Sequence, residues 1–210
     1  MKYLKHTLGF TLVALGIVGI IHAKLGASPL DAFNVFLHQL LVENNIHVTL
    51  GTVIFVIGTL VTVFTFVLTK DKTLIVSFIF LLVLSVIVDG WNYLFGFIPA
   101  SIIENLVFRI SDAIISYMIL CYGVALTLST ELPASPYEKL MLHIDKNIHN
   151  ISISKIFIDG SFFVAAIILG WLTGHLFEQV FIMTFIIAFF TGVVVKYFLS
   201  KIQKKQKGAN

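Results

Sequence analysis

The sequence predicts an all-α membrane protein with six transmembrane helices in two inverted three-helix repeats, each with a short amphipathic helix opened by Ser-Pro. Three observations carry that expectation. Of 210 residues, 58% are hydrophobic and 12% charged, against about a quarter charged in soluble domains. Six apolar runs, 8–23, 48–69, 73–97, 103–129, 153–174 and 177–199, approach or exceed the roughly 20 residues a helix needs to cross the hydrocarbon core. Finally, Gly26-Ala27-Ser28-Pro29-Leu30-Asp31 returns 107 positions later as Pro133-Ala134-Ser135-Pro136-Tyr137-Glu138. The match extends through Gly16 with Gly123, Ile17 with Val124, Leu25 with Leu132, Phe33 with Leu140 and Leu37 with Ile144. A turn kept while its apolar filler drifts marks a duplicated unit.

The first run is the shortest, and it reaches spanning length if Lys5 and Lys24 snorkel to the interfaces. Lys2, Lys5 and His6 before an apolar stretch ending at Ala23 also fit a cleavable signal peptide. The repeat favours retention, because residues 16–31 pair with a segment deep inside the chain. The turn that follows has a local mechanism. Ser28 is placed as N-cap, Pro29 at the first helical position and Asp31 at the third, and Ser135, Pro136 and Glu138 repeat the arrangement. In such a capping box the serine oxygen accepts from the third residue's amide while the carboxylate reaches back.

The short helix over 30–43 carries Leu30, Phe33, Leu37 and Leu41 against Asp31, Asn34 and His38. It would extend about 21 Å, short of a core of roughly 30 Å. Spans 48–69 and 73–97 complete the first membrane repeat, residues 1–97, and the connection at Gly96 to Ser101 leads into the second, residues 98–210. There the short helix is more polar, with Tyr137, Leu140, Met141, Ile144 and Ile148 on one face and Glu138, Lys139, His143, Asp145 and Lys146 elsewhere. Three crossings per repeat is an odd number, so the second copy enters from the opposite side, an architecture found among secondary transporters.

Charge sets the expected orientation. One set of connecting segments holds Lys2, Lys5, Lys70, Lys72, Lys139, Lys146, Lys155, Lys201, Lys204, Lys205 and Lys207, with Lys196 at its border. The opposite set holds Lys24 and Arg109. Twelve against two places both termini in the cytoplasm, the first Ser-Pro turn outside and the second inside. The net charge of +3 is then a topology signal, and Lys201 to Lys207 would meet anionic headgroups of the bilayer rather than nucleic acid.

Ionisable groups within spans are costly and invite a functional hypothesis. Asp89 leads, with Asn92 one helical turn along. Counting residues back from the hairpin puts Asp89 and Arg109 at equal depth, roughly 15 Å from the turn, with Asp112 one turn beyond Arg109. An Asp89–Arg109–Asp112 cluster follows, either as a buried ion pair joining two antiparallel helices or as a solute or proton site. The turn residues have two readings as well: a sharp helix start, or two helix N-termini helping to hold a solute in a cavity, with Asp31, Asn34 and Glu138 as contacts. The two acids offset the positive helix ends, which disfavours a simple anion site.

Asp159 is explained by Lys155 four residues before it. His22, His38, His47, His143, His149 and His175 show no metal-binding spacing on one span, so no metal is expected. The single cysteine, Cys121, excludes an intramolecular disulfide and reads as a small core residue. There is no Gly-rich loop with Lys-Ser or Lys-Thr, no Gly-x-Ser-x-Gly, and no cysteine beside a histidine. Neither an enzyme nor a cofactor is expected, and no oligomeric state is readable.

At these residues the chain resembles the YczE/YyaS/YitT group of bacterial integral membrane proteins. Ala23 to Asp31 is similar to that group's Leu-Gly-x-(Ser/Thr)-Pro-x-Asp element, and Leu132 to Met141 is similar to its weaker second copy. A C-terminal soluble domain, found in YitT-like members, is missing, which favours the YczE/YyaS side. The second copy departs by carrying Pro133 for glycine and Glu138 for aspartate. The resemblance implies a bacterial plasma membrane and transport without naming a solute; a link of one member type to secondary-metabolite output keeps a non-transport role open. The leading expectation is a secondary transporter or exporter of a small solute. The alternative is a non-catalytic membrane partner that modulates an associated enzyme or assembly.

Overall fold

The computed structural model describes residues 2–130, 132 and 135–207. Every regular element among them is a helix: α1 (Lys2–Ala23), α2 (Pro29–Glu43), α3 (Leu50–Thr69), α4 (Leu74–Phe95), α5 (Ala100–Ile103), α6 (Leu106–Leu128), α7 (Pro136–Ile148), α8 (Ile151–Leu172), α9 (Leu176–Gln179) and α10 (Ile182–Lys207). Six candidate spans among the described residues are long and apolar enough to cross a membrane: α1, α3, α4, α6, most of α8, and α9 with α10. Their ends agree with the apolar runs to within a few residues, except that α1 already starts at Lys2 and α10 continues to Lys207. The lysine-rich tail consists of good helix formers, so nothing stops the helix at the end of the apolar stretch.

The last span is broken near its start. Thr184 Oγ1 accepts from the Phe181 amide and donates to the Gln179 carbonyl, closing a turn between α9 and α10. Two compact units result, one formed by Met1–Ser28, Ile87–Leu132 and Phe177–Asn210, the other by Pro29–Val86 and Pro133–Leu176. Each takes segments from both halves of the chain.

In the first unit α6 packs against α1 and α10. Small residues permit the close approach of α1 to α6. A Cβ on Gly16 would lie 2.6 Å from Leu120 Cβ and 2.7 Å from the Ser116 carbonyl oxygen. A Cβ on Gly123 would lie 2.8 Å from the Val13 nitrogen and 2.9 Å from the Gly9 carbonyl oxygen. Lipid tails are as apolar as leucine, so helices associate in a bilayer through such close contact rather than hydrophobic exclusion. Cys121 is fully buried on α6.

In the second unit α2 packs on α8 and α3, while α7 packs on the same two helices. Phe36 is fully buried against Gly170 of α8, where any Cβ would meet its ring at 2.8 Å. Thr49 caps α3 by accepting from the Thr52 amide, and Lys70 ends it in the left-handed conformation with its amide on the Phe66 carbonyl. Lys155 pairs with Asp159 along α8, as their spacing implies.

Candidate functional site

The first unit gathers a set of polar groups around the C-terminus of α1, where a helix leaves carbonyls without intrahelical partners. Arg109 of α6 supplies two donors there, Nε to the Ala23 carbonyl at 2.7 Å and Nη2 to the Lys24 carbonyl at 2.5 Å. Gln179 Nε2 donates to the Ile21 carbonyl at 3.0 Å. Beyond Lys24, which turns left-handed at φ 52°, the chain runs along the link ahead of α10. The Gly26 amide donates to the Glu178 carbonyl, the Ala27 amide to the Gln179 carbonyl, and the Met183 amide to the Leu25 carbonyl. Gly26 has φ 105°, and a Cβ there would lie 2.7 Å from Thr184 Oγ1, so both conformation and space require glycine. Lys24 and Glu178 close the corner with an ion pair at 3.2 Å.

Of the candidates in the third and fourth predicted spans, Asn92, Arg109 and Asp112 collect near this corner. His22 Nε2 meets Asn92 Oδ1 at 2.9 Å, joining α1 to the end of α4. Asp112 Oδ1 accepts from Ser116 Oγ at 3.0 Å and lies 3.2 Å from where a Cβ on Gly19 would stand. Asp89 is half-buried on α4, one turn before Asn92. Residue counting set Arg109 level with Asp89, each about ten residues from the turn, but α5 takes up part of that stretch and α6 starts only at Leu106, so Arg109 lies near the start of its helix while Asp89 stands further from the end of α4 at Phe95. Its Nε and Nη2 face backbone oxygen, which leaves no trace in the side-chain pattern.

The second unit holds the remaining candidates. At α7 the capping box forms as expected: Ser135 Oγ accepts from the Glu138 amide at 3.2 Å, and Glu138 Oε2 accepts from the Ser135 amide at 2.9 Å. Pro136 is buried at the first helical position. Pro133 and Ala134 of the motif lie outside the described residues. Glu138 therefore acts on its own backbone. Pro29 likewise opens α2, with Asp31 in its first turn.

Asn34 lies one turn after Asp31 on α2. It is 1% exposed, and its Oδ1 has no hydrogen-bond partner. Tyr137 of α7 comes to the same neighbourhood. Its ring meets Phe162 of α8 edge-on at 5.8 Å, and Phe162 meets Phe33 of α2 at 5.5 Å. Burial raises the Tyr137 phenol above its ordinary pKa, and the negative charge of Asp31 raises it further. Its hydroxyl is buried without a hydrogen-bond partner.

Lys139 of α7 binds Asp71 at 2.5 Å and also donates to Thr73, tying α7 to the α3–α4 link. Sequence reading passed over this pair, yet a signal was present. Asp71 and Glu178 stand 107 positions apart, both are acidic, and each holds a lysine. Among the described residues no group of three or more His, Cys, Asp or Glu is arranged to hold a metal ion.

Residues 1–200 match the model of DUF6198, a family of unknown function. The chain belongs to that family. It is also 27% identical over 203 residues to the uncharacterized protein YyaS of Bacillus subtilis (strain 168), covering 96% of this chain and 98% of that one. This bears out the YyaS side of the resemblance drawn from the Ser-Pro elements. No solved structure matches.

Proposed function

We propose that this protein is a secondary transporter or exporter of a small solute, built from two inverted repeats in a bacterial plasma membrane with both termini cytoplasmic. Reciprocal packing in the first unit carries this reading. Under a two-fold axis that exchanges the copies, a contact between residues i and j implies one between i+107 and j−107. Gly9 against Gly123 then calls for Ser116 against Gly16, and Gly123 against Val13 calls for Gly16 against Leu120; both counterparts occur. Trp91 donates to the Thr11 carbonyl of α1, and Phe198, its +107 counterpart, meets Tyr122 of α6 edge-on, one helical turn from Met118, the residue an exact exchange would give. The second unit pairs α2 with α8 and α7 with α3, which the same exchange interchanges. Two short helices interrupting paired spans, with Asp31 and Asn34 on one of them, favour a transporter over a purely structural module.

Two measurements test this. An impermeant maleimide applied to cells should label Ser28→Cys, and it should label Ser135→Cys only after permeabilisation, both in a Cys121→Ser background. Equal labelling of both from outside removes the inverted repeats and the main support for transport. Counterflow in proteoliposomes against a metabolite library then asks for flux directly.

A further inference from the structure

We propose that Asp112 reversibly binds a proton, and that this proton is the ion coupled to solute movement. The proton site stands on its own geometry, and its use in coupling rests on the transport reading above.

Asp112 faces α1 within the first unit. Its Oδ1 accepts from Ser116 Oγ at 3.0 Å and lies 3.2 Å from where a Cβ on Gly19 would stand, so the carboxyl sits in the crossing of α1 and α6. Its Oδ2 is buried and has no hydrogen-bond partner. Among the described residues no ion pair reaches Asp112. Arg109, one turn earlier on α6, aims Nε and Nη2 at the Ala23 and Lys24 carbonyls instead. A carboxylate taken out of water with a single donor and no paired charge is costly, and a proton removes the charge.

The crossing is too tight for a larger occupant. A Cβ on Gly19 would already collide with Ser116 Oγ, and one on Gly16 would lie 2.7 Å from the Ser116 carbonyl oxygen. A hard metal ion needs several oxygen ligands, and among the described residues no group of three or more His, Cys, Asp or Glu is arranged to hold one. A proton needs neither space nor further ligands.

The surrounding ionisable groups agree with this choice. α1 brings His22, one turn beyond Gly19 on the same face. Its Nε2 meets Asn92 Oδ1, an oxygen that can only accept, so Nε2 carries the hydrogen and Nδ1 need not. α4 brings Asp89, one turn before Asn92, and Lys24 beyond α1 pairs with Glu178 of α9. Glu104 at the end of α5 is exposed, Tyr117 and Cys121 lie further along α6, and α10 has no ionisable side chain before Lys196. Arg109 and Lys24 are thus matched in number by Asp89 and Glu178, and an ionised Asp112 would be a surplus negative charge.

The test is infrared spectroscopy of the full chain in nanodiscs, following the C=O stretch of an un-ionised carboxylic acid. At neutral pH the unaltered chain should show such a band that Asp112→Asn lacks, and raising the pH should remove it reversibly. Identical spectra in the two chains overturn the proposal, as does a band that ignores pH. Should Asp112→Asn fail to fold, aspartate enriched in carbon-13 at its side-chain carboxyl decides: the band must shift on labelling and must persist in Asp89→Asn, and failure of either overturns the site. Proteoliposomes with trapped pyranine separate this from the transport reading. A compound that exchanges in counterflow should move protons as it runs down its gradient in the unaltered chain, and move none in Asp112→Asn. Solute flux without proton movement in the unaltered chain overturns the coupling and keeps transport, whereas the infrared band without flux of any compound keeps the proton site and removes transport.

Discussion

The two Ser-Pro helices, α2 and α7, start 107 positions apart and lie in one compact unit, yet they are buried to different extents. α2 buries Pro29, Ala32, Asn34, Val35 and Phe36, whereas α7 buries Pro136 alone. In place of burial, α7 has the Lys139–Asp71 pair, beside the capping box at its start. The substitutions behind this are visible at the 107-residue offset: Phe36 became His143, and Asn34 became Met141. Across that offset the Ser-Pro-x-acid helix start, which depends on local backbone chemistry, is kept, while the packing face differs. The candidate site inherits that asymmetry. It draws Asp31 and Asn34 from α2 and Tyr137, which stands 107 positions after Leu30, from α7.

The sharpest way to break the comparison is to truncate equivalent positions. Phe36→Ala removes a fully buried ring pressed on Gly170 and should cost about 3–5 kcal/mol. His143→Ala should stay within about 0.5 kcal/mol, as substitutions outside packed cores usually do. Equilibrium unfolding in mixed micelles measures both. Similar costs at the two sites would mean that α7 is as deeply built into its unit as α2.

The contrast also shows where sequence reading works. The spans and short helices were legible because apolar run length and a Ser-Pro-x-acid start are local properties. Asn34 and Asp31 were legible as candidates because polar residues on a greasy short helix stand out. Tyr137 was visible only as part of an apolar face, since its approach to Asp31 depends on how α2 and α7 both pack on α8. At the α1 corner, rise per residue misjudged Arg109, because α5 takes up part of the hairpin and α6 starts only at Leu106, and the Ala23 and Lys24 carbonyls it binds have no letter in the sequence. Asp71 and Glu178 are legible in the sequence as two acids at the same 107-residue offset as the Ser-Pro turns.

A middle-sized effect is expected from the cap. Ser135→Ala deletes one half of the box that starts α7 and should cost about 1 kcal/mol. Hydrogen exchange at the first-turn amides of α7 should speed up by about fivefold to tenfold, with α2 unchanged. Unaltered exchange in α7 would show that packing, not capping, holds its start.

The smallest effect is electrostatic and has a defined direction. The Asp71 carboxyl is lowered from 3.8 to about 2, first by the hydrogen bond from Lys139 and then by those from Thr73. A carboxylate whose pKa falls on folding adds stability that is fully present above its ordinary value and disappears as pH drops through the lowered one. Docking of α7 should therefore weaken between about pH 4 and pH 2. The Asp71 side chain is 37% exposed, so solvent screening limits the pair to under about 1 kcal/mol, and molar salt should erase much of it. Amide exchange in α7 should rise over that window in the unaltered chain, stay elevated and flat in Asp71→Asn, and leave α2 untouched in both. A parallel rise in α2, equal in both chains, would mean that acid loosens the whole unit and that the Lys139–Asp71 pair gives α7 no separate hold.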